Sequence, residues 1–170
     1  MAKFNNIPDF SAMGKQLKKE ALIIAKKEGV DFFQDSFVNE GFTNGSFEKW
    51  EARKNPSDYK ILSVTGDLMK SIQVFSANQK RIVFGSDEEY AQIHNEGGTM
   101  NIKITEKSRK FFWAMFYHTN EVKWKWMALT KKDSLQVTIP KRQFIGESKT
   151  LMKQLDNTIG NRILTLFKQL

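Results

Sequence analysis

Tyr90-Ala91-Gln92-Ile93-His94-Asn95-Glu96-Gly97-Gly98, with its counterpart Ile139-Pro140-Lys141-Arg142-Gln143-Phe144-Ile145-Gly146, decides how this chain is read. The first stretch holds one of only two histidines, among Glu88, Glu89 and Glu96, and so invites a metal-site or active-site interpretation. The ligand count argues against metal. Catalytic zinc takes three protein ligands, and a His-Glu-x-x-His spacing would set two of them on one helical face. Here His118 is remote, and Glu89 lies five residues before His94, off a shared helical face. A general-base histidine needs a nucleophile or a substrate pocket to serve. The chain has no Gly-x-Ser-x-Gly elbow, no phosphate-cradling glycine loop and no recognisable acid pair. The structural reading is therefore the stronger one. Tyr90 and His94, four apart, share one side of a helical turn with Ile93, which is expected to pack on a sheet with the imidazole hydrogen-bonded to backbone.

Outward from that turn, Asp87 is the expected N-cap and Gly97 the left-handed C-cap. Upstream, Ser71 to Ser76 and Arg81 to Ser86 carry the β-branched and aromatic content of two strands, joined by Ala77-Asn78-Gln79-Lys80. Thr65 is placed to cap a short helix reaching Ser71, with Leu68 and Ile72 inward. Gly41 to Tyr59 reads as irregular, with turns at Asn44-Gly45 and Asn55-Pro56-Ser57-Asp58 and with Phe47 and Trp50 as apolar anchors. Before it, Asp9 to Glu40 has the three- and four-residue apolar spacing of one long helix, capped by Asp9 or Ser11 and stopped by Gly41. Gly29 is the place for a kink or short break.

Downstream, Thr99 to Thr105 is a short strand candidate and Glu106 to Thr119 a helix with Phe111, Phe112, Met115 and Phe116 on one side. Val122 to Leu129 interleaves Lys123 and Lys125 with Trp124 and Trp126, the alternation of an edge strand or exposed arm. Leu135, Val137 and Ile139 alternate as a last strand closed by Pro140. After Gly146-Glu147-Ser148, a final helix has Leu151, Leu155, Ile159, Ile163 and Leu166 along its core stripe. The whole is an α+β chain: long N-terminal helix, antiparallel β-sheet with a hairpin and short helices, C-terminal helix.

The totals fit that picture. A chain of 170 residues, 40% hydrophobic with fourteen Phe, is read as a single domain over 1–170 with a real core. Residues 1–8 are taken as flexible and 111–132 as a projecting segment. Without cysteine there is no disulfide framework and no thiol nucleophile. No apolar run has the length of a signal peptide or a membrane span, so the expected home is the cytosol or an assembly, with no membrane contact. The net charge of +8 permits nucleic acid, an anionic surface or an acidic protein as partner without choosing among them.

Three segments stand in order: Leu62-Ser63-Val64-Thr65-Gly66-Asp67-Leu68-Met69-Lys70-Ser71-Ile72, then Tyr90 to Gly97, then Ile139 to Gly146. Their succession resembles the Mu-like virion-morphogenesis, or tail-completion, proteins of tailed phages and prophages. In that family a Thr-Gly-x-Leu-x-x-Ser-Ile segment leads into a hairpin. A Tyr-Ala-x-Ile-His-x-x-Gly segment and an Ile-Pro-x-Arg-x-Phe-Leu-Gly segment follow. Trp50 stands where such proteins often carry a Trp. Gln143 replaces a common Pro, and Phe111 to Lys132 matches no motif of the family.

The resemblance implies a non-enzymatic assembly protein without cofactor or metal. It would act in the virion, at the tail end or head–tail junction, after assembly in the host cytoplasm. Its partners would be copies of itself in a ring, other tail or neck proteins, and DNA touched non-specifically in the channel. Structural or interface roles would then fall to Thr65, Gly66, Leu68, Tyr90, His94, Gly97, Trp124, Trp126, Arg142, Phe144 and Gly146, with Arg142 donating bidentately to a carboxylate or to carbonyls. The alternative is a basic nucleic-acid-binding module in which Trp124 and Trp126 stack bases while lysines hold phosphates.

Overall fold

The structure is a computed structural model that describes residues 9–53 and 58–168. Residues 1–8 and the turn signal at Asn55-Pro56-Ser57 lie outside the described residues. The order is α1 (Phe10–Asn39), β1 (Gly41–Asn44), β2 (Ser46–Lys49), α2 (Asp67–Lys70), β3 (Gln73–Ala77), β4 (Ile82–Gly85), α3 (Ala91–Glu96), β5 (Gly98–Lys103), α4 (Glu106–Thr119), α5 (Val122–Leu129), β6 (Ser134–Ile139) and α6 (Lys149–Phe167). This is the α+β arrangement expected, with a long first helix and a helical C-terminal segment. Its antiparallel strands pair as three two-stranded sheets, β1–β2, β3–β4 and β5–β6. Contacts gather the chain into two compact units, residues 97–140 and the remainder.

In the larger unit, α1 starts on Asp9, whose carboxylate accepts from Ala12 N at 2.9 Å. It runs as one helix through Gly29, with no break. Gly29 is buried because the Phe84 ring lies against it, in the space a Cβ would fill. A close approach, not a kink, accounts for this glycine. The helix stops at Glu40, left-handed at φ 54°, one residue before the expected Gly41. The Glu40 carboxylate also accepts from Ile61 N at 2.6 Å.

The region read as irregular after α1 instead opens with the β1–β2 hairpin, turning at Gly45 (φ 81°). Its short, mostly exposed strands carry little alternation, which hid them in the sequence. The hairpin turn is tied to the start of α6: Ser148 Oγ donates to Thr43 O at 2.6 Å, and Gly45 N donates to Thr150 Oγ1 at 2.9 Å. Ser148 also caps α6, accepting from Leu151 N. The core of this unit comprises Phe33, Phe37, Phe42, Trp50, Ile61, Leu68, Ile72, Ala91, Phe144 and Leu151. Phe37 and Phe144 are fully buried, their ring centroids 4.9 Å apart. An Arg162–Glu20 ion pair of 2.7 Å links α6 to α1.

In the 97–140 unit, β5 pairs with β6 from Gly98↔Ile139 to Lys103↔Ser134. Helix α4 begins with a capping box, Thr105 and Ser108 each accepting from the other's backbone N–H. Val122 to Leu129 is a helix, not the strand or arm that its alternation suggested. On a helix Trp124 and Ala128 share one side, and this side packs on α4. Trp124 stacks on Phe112 at 6.1 Å and meets Phe111 edge-on, and Arg109 donates to the carbonyls of Ala128 and Thr130 at 2.8 and 2.6 Å. Those contacts override the period-two pattern. Only Ile104 and Ala128 are buried apolar side chains among the described residues of this unit.

Candidate functional site

The turn that opened the sequence reading and the Lys141–Gly146 run meet in the larger unit. Helix α3 is a turn and a half long, so most of its carbonyls lack partners within the helix. One of them, His94 O, accepts from Arg142 N at 2.8 Å. Asn95 Oδ1 accepts from both Phe144 N (2.9 Å) and Ile145 N (3.0 Å). On the other flank Trp50 Nε1 donates to Gln143 O at 2.7 Å. The Arg142 guanidinium donates through Nε (3.3 Å) and Nη2 (3.1 Å) to Glu51 O. Every residue from 142 to 145 thus has a backbone or side-chain group held from outside the run. Phe144 then drops into the core at 1% exposure, between two pinned neighbours.

The electrostatics suit a structural lock. Burial, and then the nearby Arg142 cation, hold the His94 imidazole below its ordinary pKa, so the ring favours its neutral form. The expected imidazole-to-backbone hydrogen bond is not made at Nδ1. That atom is buried and has no partner among the described residues, while the backbone of the same residue does the bonding. Burial also lowers the Arg142 pKa, opposed by the Glu51 carboxylate. Tyr90 meets His94 edge-on at 6.0 Å, and its phenol is raised by desolvation, by the Glu88 charge and hydrogen bond, and by Asp67.

The remaining predicted positions divide clearly. Leu68 is core at 3% exposure, and Gly66 is left-handed (φ 78°) as the residue before α2. Thr65 is exposed, and its hydroxyl lies 3.4 Å from Asp67 N, so Gly66 takes the cap position that Thr65 was expected to hold. Gly97 has the left-handed φ of 73° that a C-cap requires. Asp87 does not cap α3: the helix begins at Ala91, and Ser86 Oγ accepts from Glu88 N on its approach. A Cβ on Gly146 would meet the Gln143 side-chain amide. Trp124 and Trp126 lie on opposite faces of α5. Trp124 is half-buried against α4, its Nε1 donating to Glu121 at 3.0 Å, and Trp126 on the other face is 69% exposed, so they form no paired stacking platform.

Asn95 and Glu51 escaped the sequence reading. A signal for Asn95 was present: an amide two residues before a glycine stop, next to the histidine that drew attention. Glu51 accepts from Arg142 through its backbone carbonyl, which no side-chain pattern reveals. Among the described residues no three His, Cys, Asp or Glu side chains gather as a metal site, and no helix is long and apolar enough to cross a membrane.

Residues 41–164 match the model of the phage virion morphogenesis family, a span that takes in β1 and most of α6 with the locked run between them. Comparisons with curated proteins and with solved structures give no match. Two of the three ordered segments, Tyr90 to Gly97 and Ile139 to Gly146, are joined here by hydrogen bonds, and the match covers most of the chain: it belongs to the phage virion morphogenesis family, with a role in phage virion assembly.

Proposed function

We propose that this protein is a non-enzymatic structural subunit that completes the tail or joins tail to head, working as a homo-oligomeric ring. One observation carries the reading. His94 through its backbone carbonyl, Asn95 through its side-chain oxygen and Arg142 through its guanidinium hold the 142–145 run in place. Their arrangement supports a rigid subunit whose work is surface complementarity. The whole chain would act as one assembly subunit, contacting other tail or neck proteins. A ring of such subunits needs two different patches on each copy, because head-to-tail contacts close only that way. Non-specific DNA contact in the channel suits the +8 charge and would weaken steeply with salt. Native mass spectrometry and electron microscopy at high protein concentration, with and without purified tails, test the reading. Closed rings or tail-bound rings are the expected result. A strict monomer that binds no tails would overturn it.

A further inference from the structure

Helix α5 is apolar on two opposite faces. Its inner face, Trp124 and Ala128, packs on α4, whereas Val122, Trp126 and Leu129 recur at i, i+4 and i+7 on the outside and are 57%, 69% and 53% exposed. Lys123 and Lys125 lie exposed between these two faces, and an exposed apolar patch rimmed by polar residues marks an interaction site. The surrounding 97–140 unit carries eight Lys and Arg against three Asp and Glu. Among the described residues only one of those cations, Lys123, is in an ion pair, with Glu121 at 2.7 Å. The outer stripe is therefore an apolar ridge in a strongly basic field.

That charge selects the occupant. A second copy of the same unit would bring two excesses of like charge together. In the larger unit a groove of about 640 Å³ sets Glu147 and Asp156 against Lys149 and Lys153 and so has no net acidic rim. The apolar groove of about 780 Å³ there, lined by Leu22, Ile82 and Met152 among others, has the wrong sign for this ridge. Its lining includes Lys18, Lys80 and Arg81 and no carboxylate. Nucleic acid would use aromatic faces, but Val122 and Leu129 have none and Trp124 is engaged inside. We infer that the outer face of α5 docks a different virion protein, one that offers an apolar groove rimmed by Asp and Glu. This rests on the assembly role and is independent of ring formation. Trp126 is the central anchor, as buried aromatics at interface centres commonly are.

The test uses the full chain in particles assembling in the host. A benzophenone amino acid replacing the residue at position 126 is photoactivated, and the cross-linked peptides are sequenced. The expected result is a cross-link to another virion protein within a segment rich in Asp and Glu. Cross-links to a second copy, to DNA or to lipid, or none at all, overturn the inference. A V122S/W126S/L129S variant provides the second arm. It should melt within a few degrees of the parent, because these side chains are exposed, yet lower particle yield at least tenfold. If deleting the protein leaves yield unchanged, the assembly role itself fails. If deletion abolishes yield and the folded triple variant restores it fully, the docking inference alone fails.

Discussion

Asn95 holds two partly buried N–H groups with a single oxygen. Asn95→Ala strands both, and with each unsatisfied group costing about 1–3 kcal/mol, a loss of roughly 2–6 kcal/mol is expected in urea unfolding. Asn95→Asp keeps the acceptor and should retain most of the stability. If the Ala variant is as stable as the parent, the lock is not holding the fold. His94 gives a pH signature of known sign. Its folded pKa lies below the ordinary 6.5, so between the two values the unfolded chain binds the extra proton. The contribution is complete above about pH 6.5 and is lost as pH falls through the folded pKa. Comparison of acid unfolding for the parent and His94→Gln checks it: the parent should carry the steeper fall just below neutrality.

Helix α1 holds two glycines of opposite meaning. A Cβ on Gly14 would meet nothing within 4 Å, so Gly14→Ala should stabilise by up to about 1 kcal/mol through helix propensity alone. At Gly29 the same change pushes into the Phe84 ring, and overpacking costs about 1–3 kcal/mol, enough to cancel or reverse the gain. Melting temperatures that rise equally for both would refute the close packing. In α5, Trp124→Ala should loosen the α4–α5 pair by about 2 kcal/mol or more, since it removes a stacked aromatic. Trp126→Ala should change stability by no more than about 0.5 kcal/mol. Hydrogen exchange of the α4 amides separates the two cases. Alternation of Lys and Trp pointed to a strand here because a run of eight is too short for its period to outweigh packing, and the ring contacts with α4 decided the matter.

At the scale of the molecule, among the described residues ten buried apolar side chains support the larger unit, against two in 97–140. Regions with few buried apolar contacts open at lower free energy. Native-state exchange should therefore show α4 and α5 opening well before the Phe33–Phe37 turn of α1. Equal protection in the two regions would contradict the thin packing. The same thinness leaves aromatic and aliphatic side chains of 97–140 at the surface.

The long first helix with its Asp9 cap, the last helix, the β3–β4 hairpin and the left-handed Gly97 were legible because each rests on local chemistry: apolar period, a capping side chain, β-branched content, a glycine at positive φ. The β1–β2 hairpin, the helical state of α5 and the true use of Gly29 were not. Each depends on a residue far away in sequence: Thr150 and Ser148 for the hairpin turn, Phe112 for Trp124, Phe84 for Gly29. So does the lock on the 142–145 run. The sequence by itself determined that the two signature segments mattered and that neither held a set of catalytic partners. Only the tertiary structure decided that they matter to each other, because the bonds joining them run through backbone groups, which every residue carries and no side-chain pattern can mark.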